Sequence, residues 1–154
     1  MLEFVVNVRN ADQYKSPYTS TGLAFRKDHR ILTPSVIWHG EGVLRDWIVQ
    51  FTLPLRSVKM PKADGHMWDL DQSAYGVLLE NSVAFWRIRH ESHTLFTLLS
   101  NGALSALPGY GLDLGMIVVT ADPIALRLPK SSLTIPYIIA TPNGKHDGEI
   151  VVTL

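Results

Sequence analysis

The stretch from Val43 to Met60 alternates apolar and polar side chains, and this alternation restricts the fold more than any other feature. One parity is apolar: Trp47, Val49, Phe51, Leu53 and Leu55. The other is mostly polar: Asp46, Gln50, Thr52 and Arg56, with Ile48 as an apolar exception. A period of two over this length predicts a half-buried β-strand. Pro54 cannot donate a ladder hydrogen bond, so it predicts an edge, a bulge or a break between two strands.

The rest of the chain favours strands as well. Thirteen Val, ten Ile and ten Thr stand against only five Glu and six Lys. β-Branched residues fit a pleated sheet, whereas Glu and Lys are typical of helix surfaces. The further strand candidates are Leu2–Val8, Ser82–Arg89, Thr94–Ser100, Ala103–Leu107, Gly115–Thr120, Ile124–Leu128, Leu133–Thr141 and Glu149–Leu154. Within Ser82–Arg89 we expect Trp86 in the core, with Arg87 and Arg89 facing solvent.

Turn residues separate these candidates. Asn101-Gly102 predicts a type I′ hairpin that joins Thr94–Ser100 to Ala103–Leu107. The segment Pro142–Gly148 predicts a loop of six or seven residues, after which the chain ends as the second arm of a hairpin. Lys27–Trp38 is a weak helix candidate with Pro34 in its middle, and it predicts a single helical turn starting near Pro34.

Together these patterns predict an all-β fold. We expect a single antiparallel β-sandwich, jelly-roll-like, or a barrel, with nine or ten short strands and at most one short helix. The 154 residues are the size of one domain, so residues 1–154 are taken as a single unit. Residues 1–21 would be an N-terminal strand followed by an extended polar arm over Asn10–Thr21.

Charge and cysteine content exclude several classes of function. Fourteen basic residues balance fourteen acidic ones, which argues against nucleic acid or anionic lipid as partner. The absence of Cys excludes disulfides, thiolate catalysis and cysteine-ligated metal sites. No apolar run approaches the ~18–20 residues that cross a bilayer, and the first nine residues lack a signal-peptide pattern. We therefore expect cytoplasmic synthesis, no membrane partner and no cofactor.

The densest polar cluster surrounds Trp68. On a strand, Asp69 and Asp71 share a face and can bind a hard cation or act as an acid–base pair. The competing interpretation is a turn, because acids gather near turns such as Asp64-Gly65. Trp68 is the tryptophan that we expect to be most exposed. Trp68, Asp69 and Asp71 are therefore the candidate ligand-binding residues.

No other segment predicts a catalytic or metal site. His90 and His93 flank Glu91-Ser92 between two strand candidates, and they would need a third ligand such as His66. The segment His39-Gly40-Glu41-Gly42 has no accompanying Gly-x-Ser-x-Gly nucleophile elbow, which leaves a turn as its interpretation.

Low charge is the remaining clue to function. Charged residues make up 18% of the chain, against roughly 25% in a typical domain, which predicts that partners cover part of its surface. Leu2–Val8 can add to a neighbour's sheet by β-augmentation or pair within its own sheet. The candidate interface residues are Leu2, Phe4, Val6, Val8, Tyr14 and Tyr18.

The sequence thus predicts a non-enzymatic structural protein that acts as a symmetric homo-oligomer, and we expect this oligomer to be a trimer. Such a protein would be a virion component that contacts capsid or tail subunits, for example a phage capsid decoration, cement or tail protein. Two alternatives stay open. One is a β-sandwich that binds a carbohydrate or small ligand through Trp68. The other is a metal-assisted hydrolase that uses Asp69, Asp71, His66 and either His90 or His93.

Overall fold

A computed structural model describes residues 1–10, 29–53, 58–61, 67–69, 84–89, 93–100, 105–115, 117–120 and 132–154. These residues form eleven β-strands and contain no helix. The strands are β1 (Leu2–Asn10), β2 (His29–Trp38), β3 (Ile48–Leu53), β4 (Val58–Pro61), β5 (Met67–Asp69), β6 (Ala84–Arg89), β7 (Thr94–Leu99), β8 (Gly111–Asp113), β9 (Ile117–Thr120), β10 (Ser132–Thr141) and β11 (Gly144–Thr153).

The strands form two antiparallel sheets. The first has the order β1-β2-β9-β4-β5, with β8 also paired to β2. The second has the order β11-β10-β3-β7-β6. The prediction of an antiparallel all-β fold is confirmed, and the two separate sheets make it a sandwich rather than a closed barrel. The described part holds eleven strands, more than the nine or ten expected.

The core lies between the two sheets. Trp47, Val49, Phe51 and Leu53 are all at most 2% exposed, while Ile48, on the opposite parity, is 42% exposed. The Phe51 ring stacks on Phe96 of β7 at 5.0 Å, and Phe4 of the first sheet lies 5.1 Å from Phe51. The alternation in β3 therefore decides which face of the second sheet is buried. A break after Leu53 is confirmed too, because β4 belongs to the other sheet.

Strand β1 pairs with β2 of the same chain along its whole length, from Leu2 opposite Trp38 to Asn10 opposite Arg30. Leu2, Phe4 and Val6 are buried in the core, and Val8 packs against it. The sequence left two roles open for this strand, addition to a neighbour's sheet or pairing within its own. In the structure the strand pairs within its own sheet. Tyr14 and Tyr18 lie outside the described residues.

The helical turn predicted near Pro34 is wrong, because the segment is the interior of the ten-residue strand β2. On the edge away from β1, strand β2 pairs with β9 along His29–Leu32 and with β8 along Ser35–Ile37. Pro34 lies between these two ladders, and its carbonyl accepts a hydrogen bond from the Leu114 amide at 2.9 Å. Its missing N–H faces this gap in the ladder, so the strand loses no pairing.

The C-terminal hairpin is confirmed, but its loop is much shorter than predicted. Strands β10 and β11 pair up to Thr141 opposite Gly144, which leaves only Pro142 and Asn143 in the turn. The Thr141 hydroxyl accepts a hydrogen bond from the Asn143 amide at 3.3 Å, and Gly144 has a φ of 143°. Because Gly adopts positive φ without strain, β11 starts at the turn itself.

The hairpin predicted for β7 and Ala103–Leu107 is wrong. Strand β7 has β3 on one side and β6 on the other, and Ala106 instead forms a bridge with Leu44. The turn residues Asn101 and Gly102, and the predicted strand Ile124–Leu128, lie outside the described residues.

Strand β6 pairs with β7, and its register places Trp86 opposite Thr97 and Arg87 opposite Phe96. The burial expected for Trp86 and the solvent exposure expected for Arg87 and Arg89 stay untested predictions, because the side chains of β6 are outside the described part of the structure.

The buried Ser100 hydroxyl connects the start of β3 to the end of β7 by a hydrogen bond. The Ser100 Oγ accepts a hydrogen bond from the Trp47 amide at 3.2 Å, and the Ser100 amide donates to the Trp47 carbonyl at 3.1 Å. Ser100→Ala would leave the buried Trp47 amide without its acceptor. We expect a loss of about 1–3 kcal/mol in the free energy of unfolding, measured by urea denaturation.

Ser105→Ala is the matched control, because no described residue bonds the half-buried Ser105 hydroxyl. Equal losses in the two variants would contradict a structural role for the Ser100 hydrogen bond.

Candidate functional site

The structure describes only part of the cluster that the sequence singled out. Trp68 and Asp69 lie in β5, where their register partners are Met60 and Lys59 of β4. Asp71, His66 and His90 lie outside the described residues, so the ligand-binding and hydrolase interpretations stay untested predictions.

The described residues contain no group of three or more His, Cys, Asp or Glu residues placed to hold a metal ion. They also contain no helix with the length and apolar character needed to cross a membrane.

The second sheet has an outward surface without charge on its three central strands. We call this surface the outer face. The register aligns Ala140, Ile48 and Leu99 in one row and Ile138, Gln50 and Thr97 in the next. Its eleven residues are Ser132, Thr134, Pro136, Ile138, Ala140, Ile48, Gln50, Thr52, Leu95, Thr97 and Leu99. Six of these are apolar and five are uncharged polar, which is unusual for a sheet surface in contact with water.

A groove of about 410 Å³ crosses this face between β7, β3, β10 and β11. Apolar side chains contribute much of its lining: Leu95, Pro136 and Ile138. Gln50 and Thr52 add hydrogen-bonding groups, and the Gln50 amide donates to the Thr97 hydroxyl at 3.1 Å. The groove is therefore an apolar surface with a few polar groups in fixed positions.

The edge of the groove is acidic. Asp147 and Glu149 line it from β11, two residues apart on one face of the strand. Both are exposed, and neither forms an ion pair with a described residue. Lys145 is the next residue on the same parity, and it does not line this groove. The groove thus presents two carboxylates that form no ion pair within the described part of the chain.

Tyr137 is not available to stack on a ligand in the groove. Its ring lies 5.4 Å from Phe4 and meets His146 edge-on at 6.5 Å, so it is packed toward the other sheet. Gly148 makes room for this ring, because a Cβ there would lie 2.6 Å from the Tyr137 hydroxyl oxygen. The ring position disfavours sugar stacking on Tyr137.

A second apolar surface lies on the loops that precede β3 and β8. We call Val43, Leu107 and Tyr110 the loop patch; they are 51%, 48% and 72% exposed. Leu44 and Ala106 exchange two backbone hydrogen bonds of 3.0 and 2.8 Å, which sets Val43 opposite Leu107. The Tyr110 amide donates to the Leu107 carbonyl at 3.3 Å.

Hydrogen bonds to Trp38 hold the two loops of the loop patch in place. The Gly109 amide donates to the Trp38 carbonyl at 2.8 Å, and the Trp38 indole N–H donates to the Gly42 carbonyl at 3.2 Å. The segment from His39 to Gly42 is a bend over the Trp38 ring, which confirms its interpretation as a turn. His39 Nε2 lies 2.6 Å from Glu3 Oε2, joining this bend to β1.

Comparisons with known proteins add a structural likeness and no family. No family model matches the sequence, and no curated protein matches it either. One solved structure with a similar fold is the collagen-binding subdomain of the Enterococcus faecalis surface protein ACE. It has a TM-score of 0.39 and 10% identity, over 84% of this chain and 88% of that one. A likeness this weak carries no argument about function.

The bend over Trp38 needs glycine at position 40. A Cβ on Gly40 would lie 2.0 Å from Trp38 Cζ2, and this rigid ring is itself only 9% exposed. We expect Gly40→Ala to lower the free energy of unfolding by about 1–3 kcal/mol, measured by thermal denaturation.

Gly111→Ala is the matched control, because a Cβ there meets no atom within 4 Å. If Gly40→Ala is as stable as Gly111→Ala, the packing described for the base of the loop patch is wrong.

Proposed function

We propose that this protein is a non-enzymatic structural subunit that works as a symmetric homo-oligomer, with the outer face covered in the assembled state. The observation that carries this proposal is the absence of any charged residue among the eleven outward positions of β10, β3 and β7. Water-facing surfaces of monomeric domains normally intersperse charges of both signs. An uncharged face at the centre of a sheet is typical of a contact surface.

The exposure of individual residues agrees with this proposal. Ile48 is 42% exposed at the start of β3, the central strand of the sheet, and Val151 on the edge strand β11 is 68% exposed. Each buried CH₂ group contributes ≈ 0.8 kcal/mol to association, so covering these side chains is favourable.

The second sheet is large enough for a stable contact. Five strands spaced ≈ 4.8 Å apart, each of six to ten residues at ≈ 3.3 Å, span roughly 500–800 Å². A standard interface buries about 600–1,000 Å² on each partner. The outer face with its flanking strands therefore reaches this size without any rearrangement of the chain.

A virion is the setting that we propose for this assembly, as a capsid decoration, cement or tail component. This part of the proposal comes from the sequence alone: small size, strand-rich composition, low charge and absence of Cys. Proteomics of purified particles from the source of this sequence is the test, and absence of the chain from the particles would remove the virion setting.

Light scattering after size exclusion tests the assembly itself. We expect the wild-type chain to have a mass that is an integer multiple of 17.2 kDa at micromolar concentration. Ile48→Asp should shift it to the monomer, because each contact would then bury a carboxylate without a partner. Circular dichroism should show that the variant keeps its strands.

Asn7→Asp is the matched control, because it adds the same charge at an exposed position of β1 in the other sheet. Its mass should equal that of the wild type. A wild-type monomer at every concentration tested, or an Ile48→Asp variant that stays fully assembled, would overturn the proposal.

A further inference from the structure

We infer that neighbouring copies join head to tail, with the loop patch of one copy seated in the groove of the next. This inference rests on the proposed function, and it adds which two surfaces meet. It therefore predicts a contact between different surfaces rather than one surface that meets its own copy.

The exposed apolar side chains separate into distinct places. Three of the six large apolar residues exposed in the described part form the loop patch: Val43, Leu107 and Tyr110. Ile48 lies on the outer face, and Val151 lies on the same sheet. When the patch of one copy meets the groove of the next, the two apolar surfaces cover each other in a heterologous contact.

The charges of the two surfaces are complementary. Arg45 is exposed and lies two residues beyond Val43, on the same side of the extended segment that bridges to Ala106. The groove has Asp147 and Glu149, neither of which forms an ion pair with a described residue. A guanidinium binds carboxylates through two parallel hydrogen bonds, so Arg45 of one copy would pair with these acids of the next.

The chemistry of the contact also matches. Tyr110 is 72% exposed and brings an aromatic ring with a hydroxyl at its tip. Leu95, Pro136 and Ile138 offer an apolar lining, and Gln50 and Thr52 offer hydrogen-bonding groups beside it. A tyrosine fits such a lining, because its ring is buried while its hydroxyl finds a partner.

The loop patch is held in place before any contact forms. Its backbone is bonded to itself through Leu44 and Ala106, and to β2 through Gly109. A surface that is already ordered loses less conformational entropy when it binds. Since each copy has one patch and one groove, the contact repeats from copy to copy, and a closed ring satisfies every one of them.

The experiment mixes two variants, each defective in one surface. Tyr110→Asp disables the loop patch, and Glu149→Arg places a cation where Arg45 would bind. Both positions are exposed, so both chains should fold. Each variant alone should have the mass of a monomer. A mixture should form a 1:1 heterodimer of twice 17.2 kDa, because it unites one intact groove with one intact patch.

The double variant Tyr110→Asp/Glu149→Arg is the matched control, since it has neither intact surface and should stay monomeric with either partner. An assembled Tyr110→Asp variant, or a mixture without heterodimer, overturns the inference while the wild-type oligomer still supports the proposed function. A monomeric wild type overturns both.

Charge reversal tests the ion pair separately. Arg45→Glu should raise the protein concentration needed for half-maximal assembly at least tenfold, and so should Glu149→Arg. The variant with both changes should recover most of this loss, because the pair is restored with its signs exchanged. Failure of the double change to recover any assembly contradicts the pairing of these residues.

Discussion

The stacking of aromatic rings between the two sheets is the contact on which the rest of this structure depends. Phe4 lies on Phe51, and Phe51 on Phe96, so three strands from both sheets meet in one aromatic column. Side chains alternate along a strand, and a register slip of one residue would exchange the inner and outer faces. Burying Phe51 therefore determines that Ile48, Gln50 and Thr52 face outward.

The outer face follows from this constraint. The same register that buries Val49 and Phe51 aligns uncharged outward residues across β10, β3 and β7. The charges on this side of the sheet lie on its edge strand, where Asp147 and Glu149 border the groove. The loop patch depends on other contacts, the bridge from Leu44 to Ala106 and the bonds to Trp38 and Gly42. The core, the outer face and the loop patch are thus separate consequences of the pairing.

Local patterns in the sequence correctly predicted the elements that depend mainly on their own residues. The alternation around Phe51 predicted β3 and its buried parity. The predictions failed where pairing with a distant segment determines the local structure. Pro34 remains in a strand because β8 and β9 leave a gap beside it, and Ala106 pairs with Leu44 rather than with β7. The groove and the loop patch combine residues from distant segments. Ile48, the apolar exception in β3, was the local signal of an apolar outward surface.

Hydroxyl-radical footprinting at increasing protein concentration tests most directly whether the outer face is covered. The labelling rates of Ile48 and Ile138 on this face are compared with that of Val5 on β1. We expect the rates at Ile48 and Ile138 to fall several-fold as the chain assembles, while the rate at Val5 stays constant. Unchanged rates at Ile48 and Ile138 in a sample whose mass shows assembly would contradict this expectation.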